Sequence, residues 1–205
     1  MSDAYFTSTE NYLNATRLFA TKGYHSVTMD ELAQCLGVAK GTLYYHYKNK
    51  EEIYFALIRR GLRIMEDCVN DAIAGLQHPL ERLSMAIMAQ LNFITRYVDA
   101  TNLFLRELFG NSDRRVCLRD LLYDYQNVIK NIIVEGQDRG AITKKVPADM
   151  LVTVIFGMVS TVALHYINAA LDKPIELVHK EVTRVVFEGI AEDETWVTKS
   201  KYIQK

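Results

Sequence analysis

Apolar residues recur along most of the chain at intervals of three and four, the period of an amphipathic helix, and long stretches hold neither proline nor glycine. The pattern predicts helices almost end to end. The first opens near Thr7, with Glu10 three residues on in capping-box position; it carries Leu13, Ala15, Leu18, Phe19 and Ala20, and stops at Gly23. The second has the sharpest start in the chain. Thr28-Met29-Asp30-Glu31 is a capping box in which Thr28 and Glu31 serve each other's backbone, and Val27 and Leu32 have the spacing of a hydrophobic staple. It stops at Gly37, which can take the left-handed conformation of a tight turn. A third short helix starts near Lys40 and ends by Tyr47. Asn49 caps a fourth, with Glu51 and Glu52 in its first turn, where negative charge suits the helix dipole; it extends towards Gly75.

Five more helices follow: Pro79 to about Val98, Asn102 to Phe109, Asp113 to about Arg139, Pro147 to about Leu171, and Pro174 to about Ile190. The fold class predicted is all-α, about nine helices, with a three-helix N-terminal domain over residues 1–50 and a larger helical domain over 51–190. Residues 191–205 read as a polar tail. The longest mainly apolar stretch, Leu151 to Leu164, is interrupted by Thr153, Ser160 and Thr161. At about 14 residues it falls short of the roughly 18 that suggest a membrane span.

Helices two and three, joined by Leu36-Gly37-Val38-Ala39, match a helix-turn-helix, whose second helix enters the DNA major groove while the first crosses the backbone. At about 100° per residue, Leu43 lies within about 40° of Ala39 and Tyr47. Those three are expected to face the core. Gly41, Thr42, Tyr44, Tyr45 and Lys48 then point outward, with Lys40 and His46 on the flanks. Hydroxyls and ammonium groups bond phosphates, and Thr42 and Tyr44 can also reach base edges or a thymine methyl. Gly41 lets the backbone come close to a duplex. Thr28 offers a hydroxyl and free amides to a phosphate, and Lys50 a charge. Each has a plainer reading. Exposed tyrosines also serve protein interfaces, Thr28 is useful as a cap alone, and His46 can simply bond a neighbouring carbonyl.

Charge changes the picture only locally. The 24 basic and 25 acidic residues leave the chain at −1, so it is no bulk polycation, yet between Lys40 and Arg63 six bases face two acids. A basic patch of this kind can meet an anionic partner on a near-neutral protein. With 49% hydrophobic residues the chain can build a real core, which excludes low-complexity disorder. Cys35, Cys68 and Cys117 are scattered and odd in number, with neither metal-ligand nor disulfide spacing. No signal peptide is visible at the N-terminus, and a reduced, cytoplasmic setting away from membranes is expected. No P-loop, dinucleotide glycine pattern, His-Glu-x-x-His or nucleophile elbow occurs, so no catalytic residue, metal or cofactor is expected.

The segment from Thr28 to Ile53, TMDELAQCLGVAKGTLYYHYKNKEEI, resembles the signature of TetR-type transcriptional regulators, and Ala15 to Tyr24 is similar to that family's first helix. The resemblance covers about residues 10–55. It implies a nine-helix dimer in which helices one to three bind DNA, helix four links them to a ligand-binding domain, and the last two helices pair with those of a partner. The DNA contacts it implies are Lys40, Gly41, Thr42, Tyr44, Tyr45, His46 and Lys50, with Thr28 as backbone anchor; Lys48 joins them from the helical wheel. One departure is visible. The commoner order Tyr-His-Tyr-Phe is here Tyr44-Tyr45-His46-Tyr47, which puts a phenol where a phenylalanine is usual.

The implied function is a ligand-responsive regulator, chiefly a repressor, that binds a palindromic double-stranded operator as a homodimer and is released by a small, largely apolar effector. An activator of the same fold and a helical protein-interaction adaptor are the alternatives. Met65, Met88, Phe93, Tyr97, Phe104, Tyr123 and Phe156 supply Met and aromatic surface for an effector, and Glu107 and His165 could orient one; ordinary core is the competing reading for each. Helix Pro147–Leu171 is apolar nearly all round, and Gly157, Ser160 and Ala163 at three-residue spacing would admit another helix.

Overall fold

The computed structural model describes residues 6, 8–109, 115–168 and 173–191. Among these it contains nine α-helices: α1 Thr9–Lys22, α2 Met29–Cys35, α3 Lys40–His46, α4 Lys50–Ile73, α5 Pro79–Arg96, α6 Val98–Phe109, α7 Arg115–Asp138, α8 Ala148–Asn168 and α9 Ile175–Ile190. Several expected boundaries shift. Ser8 caps α1, its hydroxyl accepting from the Asn11 amide at 3.5 Å. α6 begins at Val98, four residues before the expected Asn102: the Thr101 amide already bonds the Tyr97 carbonyl at 2.9 Å, and Asp99 suits the first turn of a helix. Thr7, Gly110, Asp113, Leu171 and the tail from residue 192 lie outside the described residues.

The expectation for the apolar helix needs correcting. The stretch Ala148–Ile167 has 20 residues of hydropathy 1.9, long and apolar enough by length and composition to cross a membrane, and 33% of it is buried. Thr153, Ser160 and Thr161 do not break it, because a helix tolerates isolated hydroxyls that bond back to its own carbonyls. Thr153 does so, donating to the Asp149 carbonyl at 2.9 Å.

The chain divides into two compact units, Met1–Ile64 with Tyr97–Leu122, and Met65–Arg96 with Tyr123–Lys205. In the first, α1 lies against α2 and α6, and α2 against α3. Its core is aromatic and aliphatic: Phe6, Tyr12, Phe19, Leu32, Leu43, Ile53 and Leu57 are all essentially inaccessible. Burying each such side chain stabilises the fold by about 1.5–3 kcal/mol before entropy is counted. The unit that holds the helix-turn-helix also takes in α6. In the second unit α5 packs against α8 and α9 around Leu83, Ile87, Ile132, Ile133 and Phe187. The His179 ring on α9 is buried against Ser84 on α5, with Nε2 2.9 Å from the Ser84 carbonyl. Burial lowers the His179 pKa. Glu135 pairs with both Arg82 and Arg139.

Candidate functional site

The helix-turn-helix is built from local rules. At the α2 N-terminus the Thr28 hydroxyl accepts from the Glu31 amide at 3.2 Å and the Glu31 carboxylate accepts from the Thr28 amide at 2.8 Å, so the expected capping box is complete. Val27 and Leu32, the staple, are both buried. The Lys22 ammonium, then the Thr28 amide and hydroxyl, hold the Glu31 carboxyl down at about 2. Gly37 turns the chain at φ 66°, and its amide and that of Val38 bond the carbonyls of Gln34 and Ala33.

α3 follows, anchored by Leu43, with no exposed surface, and by the buried Tyr47, whose ring lies 5.9 Å from that of Phe6. Lys40, Gly41, Thr42, Tyr44, Tyr45, His46 and Lys48 are exposed, Tyr45 at 86% and Tyr44 at 46%. Ala39 corrects the wheel: it is exposed, because it is the N-cap of α3, with extended backbone at φ −66° and ψ 143°, and a wheel does not reach past a helix's end. A Cβ on Gly41 would meet nothing within 4 Å, so no neighbour within the fold requires glycine there.

Two lysines are tied more closely than the sequence suggests. The Lys40 ammonium lies 2.6 Å from Asp30 on α2, which raises its pKa. Lys50 is half-buried. Its ammonium donates to the carbonyls of Val27 at 2.7 Å and His25 at 3.1 Å, and sits 4.7 Å over the ring of Tyr24. It therefore fastens the loop before Thr28 to α4. Two of its three protons are committed, and it places positive charge beside the α2 N-terminus, where Thr28 was expected to meet a phosphate. From Tyr24 the contacts continue inward: the Tyr54 ring lies edge-on at 5.0 Å, and the Tyr54 hydroxyl donates to the buried Glu107 on α6 at 3.1 Å. Asp30, Tyr24 and Tyr54 were not singled out from sequence. Tyr54 had a signal, because it adjoins Ile53 and precedes Leu57 and Ile58 on the apolar side of α4.

The nine residues expected around an effector fall in both units. In the first, Tyr97 is half-buried with its ring 6.3 Å from that of Tyr12, Phe104 is half-buried, and Glu107 is buried. In the second, Met65 and Phe93 are buried, Met88 and Phe156 are half-buried, Tyr123 is 63% exposed and His165 is exposed. Phe156 borders a crevice lined also by Gln90, Tyr125, Gln126, Ile129, Val152 and Ile155. Its cavity volume is about 10 Å³, room for about one water and far below the range of about 300–1,000 Å³ usual for sites that take drug-sized ligands. Gln90 and Tyr125 were also missed. Tyr125 falls on the inward stripe Leu118, Leu122, Tyr125, Ile129, Ile132, which a 3.6-residue period makes visible.

Comparison with known proteins agrees with this architecture. Residues 14–57 match the model of bacterial regulatory proteins of the tetR family, and residues 76–168 match the tetracyclin repressor-like C-terminal domain. The HTH-type transcriptional regulator HbdR of Aromatoleum sp. (strain CIB) is 34% identical over 107 residues, 52% of this chain; the match spans about half (47%) of that relative's length. The fatty acid metabolism regulator protein of Bacillus subtilis is 26% identical over 148 residues, 71% of this chain and 75% of its own. The transcriptional regulator FadR from Bacillus subtilis, solved in complex with stearoyl-CoA, superposes with a TM-score of 0.80 at 21% identity, covering 88% of this chain and 98% of that one; it shares the fold. The chain belongs to the TetR family of transcriptional regulators. The two matched regions, the helix-turn-helix and the C-terminal helical domain, are those of a family of bacterial regulatory proteins.

Proposed function

We propose that the protein is a repressor that binds an inverted-repeat operator as a homodimer and leaves it when an acyl-CoA-like effector binds. The reading rests chiefly on one observation: α3 stands on Leu43 and Tyr47 and turns Thr42, Tyr44 and Tyr45 to solvent, with Lys40 and Lys48 at its two ends. In a dimer the two α3 helices meet successive major grooves, about 34–36 Å apart or a multiple of it. Thr42, Tyr44, Tyr45 and His46 read bases. Lys40, Lys48, Lys50 and Thr28 fix the register on phosphates. Lys40 leaves Asp30 or shares it when a phosphate arrives.

α8 and α9 supply the dimer surface. Met150 and Val154 on α8, and Leu177 and Val185 on α9, are between 45% and 59% exposed, and Gly157 has open space where a Cβ would stand. A two-headed DNA reader uses such a surface to pair with a second copy, and on this reading the long apolar α8 is an interface helix and not a membrane span.

The acyl-CoA class is supported by the relatives named for fatty acid metabolism and by the Met and aromatic side chains of α4, α5 and α8. The effector acts only through its differential affinity for DNA-competent and released states; a hundredfold change in operator binding corresponds to about 2.7 kcal/mol. α4, continuous from Lys50 to Ile73, carries the change from the effector to the loop that Lys50 holds. Operator release measured against a panel of acyl-CoA thioesters tests this; a panel without effect on DNA affinity contradicts the effector assignment.

A further inference from the structure

The exposed side of the helix-turn-helix carries one carboxylate that the capping box does not explain. α2 has two acids in its first turn, Asp30 and Glu31. Glu31 is engaged by Thr28 in the box and by the Lys22 ammonium. Asp30 takes no part in the box. Its Oδ1 lies 2.6 Å from the ammonium of Lys40, the first residue of α3. Both side chains stand mostly in solvent, Asp30 at 66% and Lys40 at 55%. The Tyr44 phenol is within electrostatic reach of the same ammonium, so the pair stands beside the residues proposed to read bases.

An ion pair this exposed adds little to stability. An acid in the first turn suits the α2 dipole, but Glu31 already supplies one. What Asp30 does change is the charge that α3 offers to a duplex. Affinity for a phosphate backbone follows the number of uncompensated cations at the contact. With Asp30 against it, Lys40 adds nothing to that number. Nor does the carboxylate vanish when Lys40 meets a phosphate. An ammonium that bonds both sets the phosphate within about 6 Å of Asp30, inside the screening length of about 8 Å at physiological salt.

We infer that Asp30 is a built-in competitor of DNA for Lys40. It holds the ammonium in the free protein and opposes each phosphate that approaches, so the Lys40–Asp30 pair brings no net charge to the duplex. Asp30 thereby limits affinity for DNA of any sequence and leaves a larger share of binding to the base contacts of α3. The inference rests on the reading above, in which α3 enters the major groove with Lys40 on a phosphate. It deepens that reading by assigning a role to a residue that opposes the contact.

The test measures binding of the full-length protein to a fluorescent duplex of arbitrary sequence across a range of salt. Asp30→Asn binds about five- to tenfold more tightly than the wild type at about 0.1 M salt, steepens the slope of log affinity against log salt by about one, and loses its advantage towards about 1 M. Lys40→Ala does the opposite, because it leaves Asp30 unpaired before the phosphates: binding weakens and the slope flattens by about one. The double variant returns both quantities close to the wild type. Melting temperatures stay near that of the wild type throughout, and Asp30→Ser stands in if Asp30→Asn does not fold. A slope unchanged by Asp30→Asn, or binding weaker than the wild type, as when the carboxylate merely aims Lys40, overturns the inference and leaves DNA binding by α3 standing. A wild type that binds no duplex at any salt overturns both.

Discussion

The Tyr54 hydroxyl on α4 donates to Oε1 of Glu107 on α6 across 3.1 Å, with both residues buried. The same tyrosine ring meets Phe19 of α1 at 5.1 Å and Tyr24 at 5.0 Å, and Tyr24 lies under the Lys50 ammonium. One phenol thus ties α6 to the helices that carry the DNA-binding motif. Tyr54→Phe keeps the ring contacts and removes the bond. Urea unfolding is expected to show a loss of about 1 kcal/mol. If this bond couples α6 to α4 in the proposed release, the same variant needs more effector in DNA-release titrations. An unchanged titration would confine Tyr54 to a packing role.

The recognition surface makes a contrasting prediction. Tyr45 is 86% exposed, so Tyr45→Ala changes unfolding free energy by no more than about 0.5 kcal/mol while altering which DNA sequences are bound. Leu43→Ala does the reverse at the level of cause. It opens a cavity beneath α3, costs about 2–5 kcal/mol, and weakens every DNA sequence alike because the helix is no longer held. Melting curves and binding to randomised DNA separate the two.

Phosphate contacts are read from salt. Lys48 is exposed, whereas Lys50 is bonded to the carbonyls of Val27 and His25. Lys48→Ala therefore lowers the slope of log affinity against log salt by about one, with no change in base preference. Lys50→Ala lowers the slope and also destabilises the loop before α2, so its melting temperature falls where that of Lys48→Ala does not.

The capping box of α2 sets an acid limit. Glu31 has its folded-state pKa lowered from 4.5 to about 2 by Lys22 and Thr28. A carboxyl lowered on folding contributes stability that is full above pH 4.5 and is lost as pH falls through about 2. The wild type is expected to lose more stability than Glu31→Gln across that window. Thr28→Ala removes the cap itself and costs about 1 kcal/mol at neutral pH. Acid titrations of helicity on the three proteins check the order.

The parts legible in the sequence were those fixed by neighbours along the chain. Thr28 and Glu31, Gly37, Asn49 and the Leu43–Tyr47 side of α3 follow from spacing and turn chemistry over a few residues, and the family signature lies in the same stretch. Ala39 escaped because a wheel assumes helical angles and this residue has extended ones. The placement of α6 against α1, the Lys40–Asp30 pair and the Tyr54–Glu107 bond depend on tertiary packing, which spacing does not encode. Tyr125 and Gln90 lay on helical stripes that could be read as inward, but the missing partner of the phenol is visible only once the helices are assembled.

The dimer surface is open to a direct perturbation. Val154→Glu and Val185→Glu each place a charge on an exposed apolar patch that a second copy would cover. Sedimentation is expected to show the wild type as a dimer and the double variant as a folded monomer with operator affinity reduced at least a hundredfold. A double variant that remains dimeric would move the interface elsewhere.

Sequencing the genomic fragments that the purified protein retains decides whether two copies of α3 read DNA together. The expected result is an inverted repeat whose half-sites are one duplex turn apart, or a whole multiple of it, and which Tyr44→Ala and Tyr45→Ala alter within each half-site. Retained fragments without any repeated element, or a repeat that neither substitution changes, would contradict it.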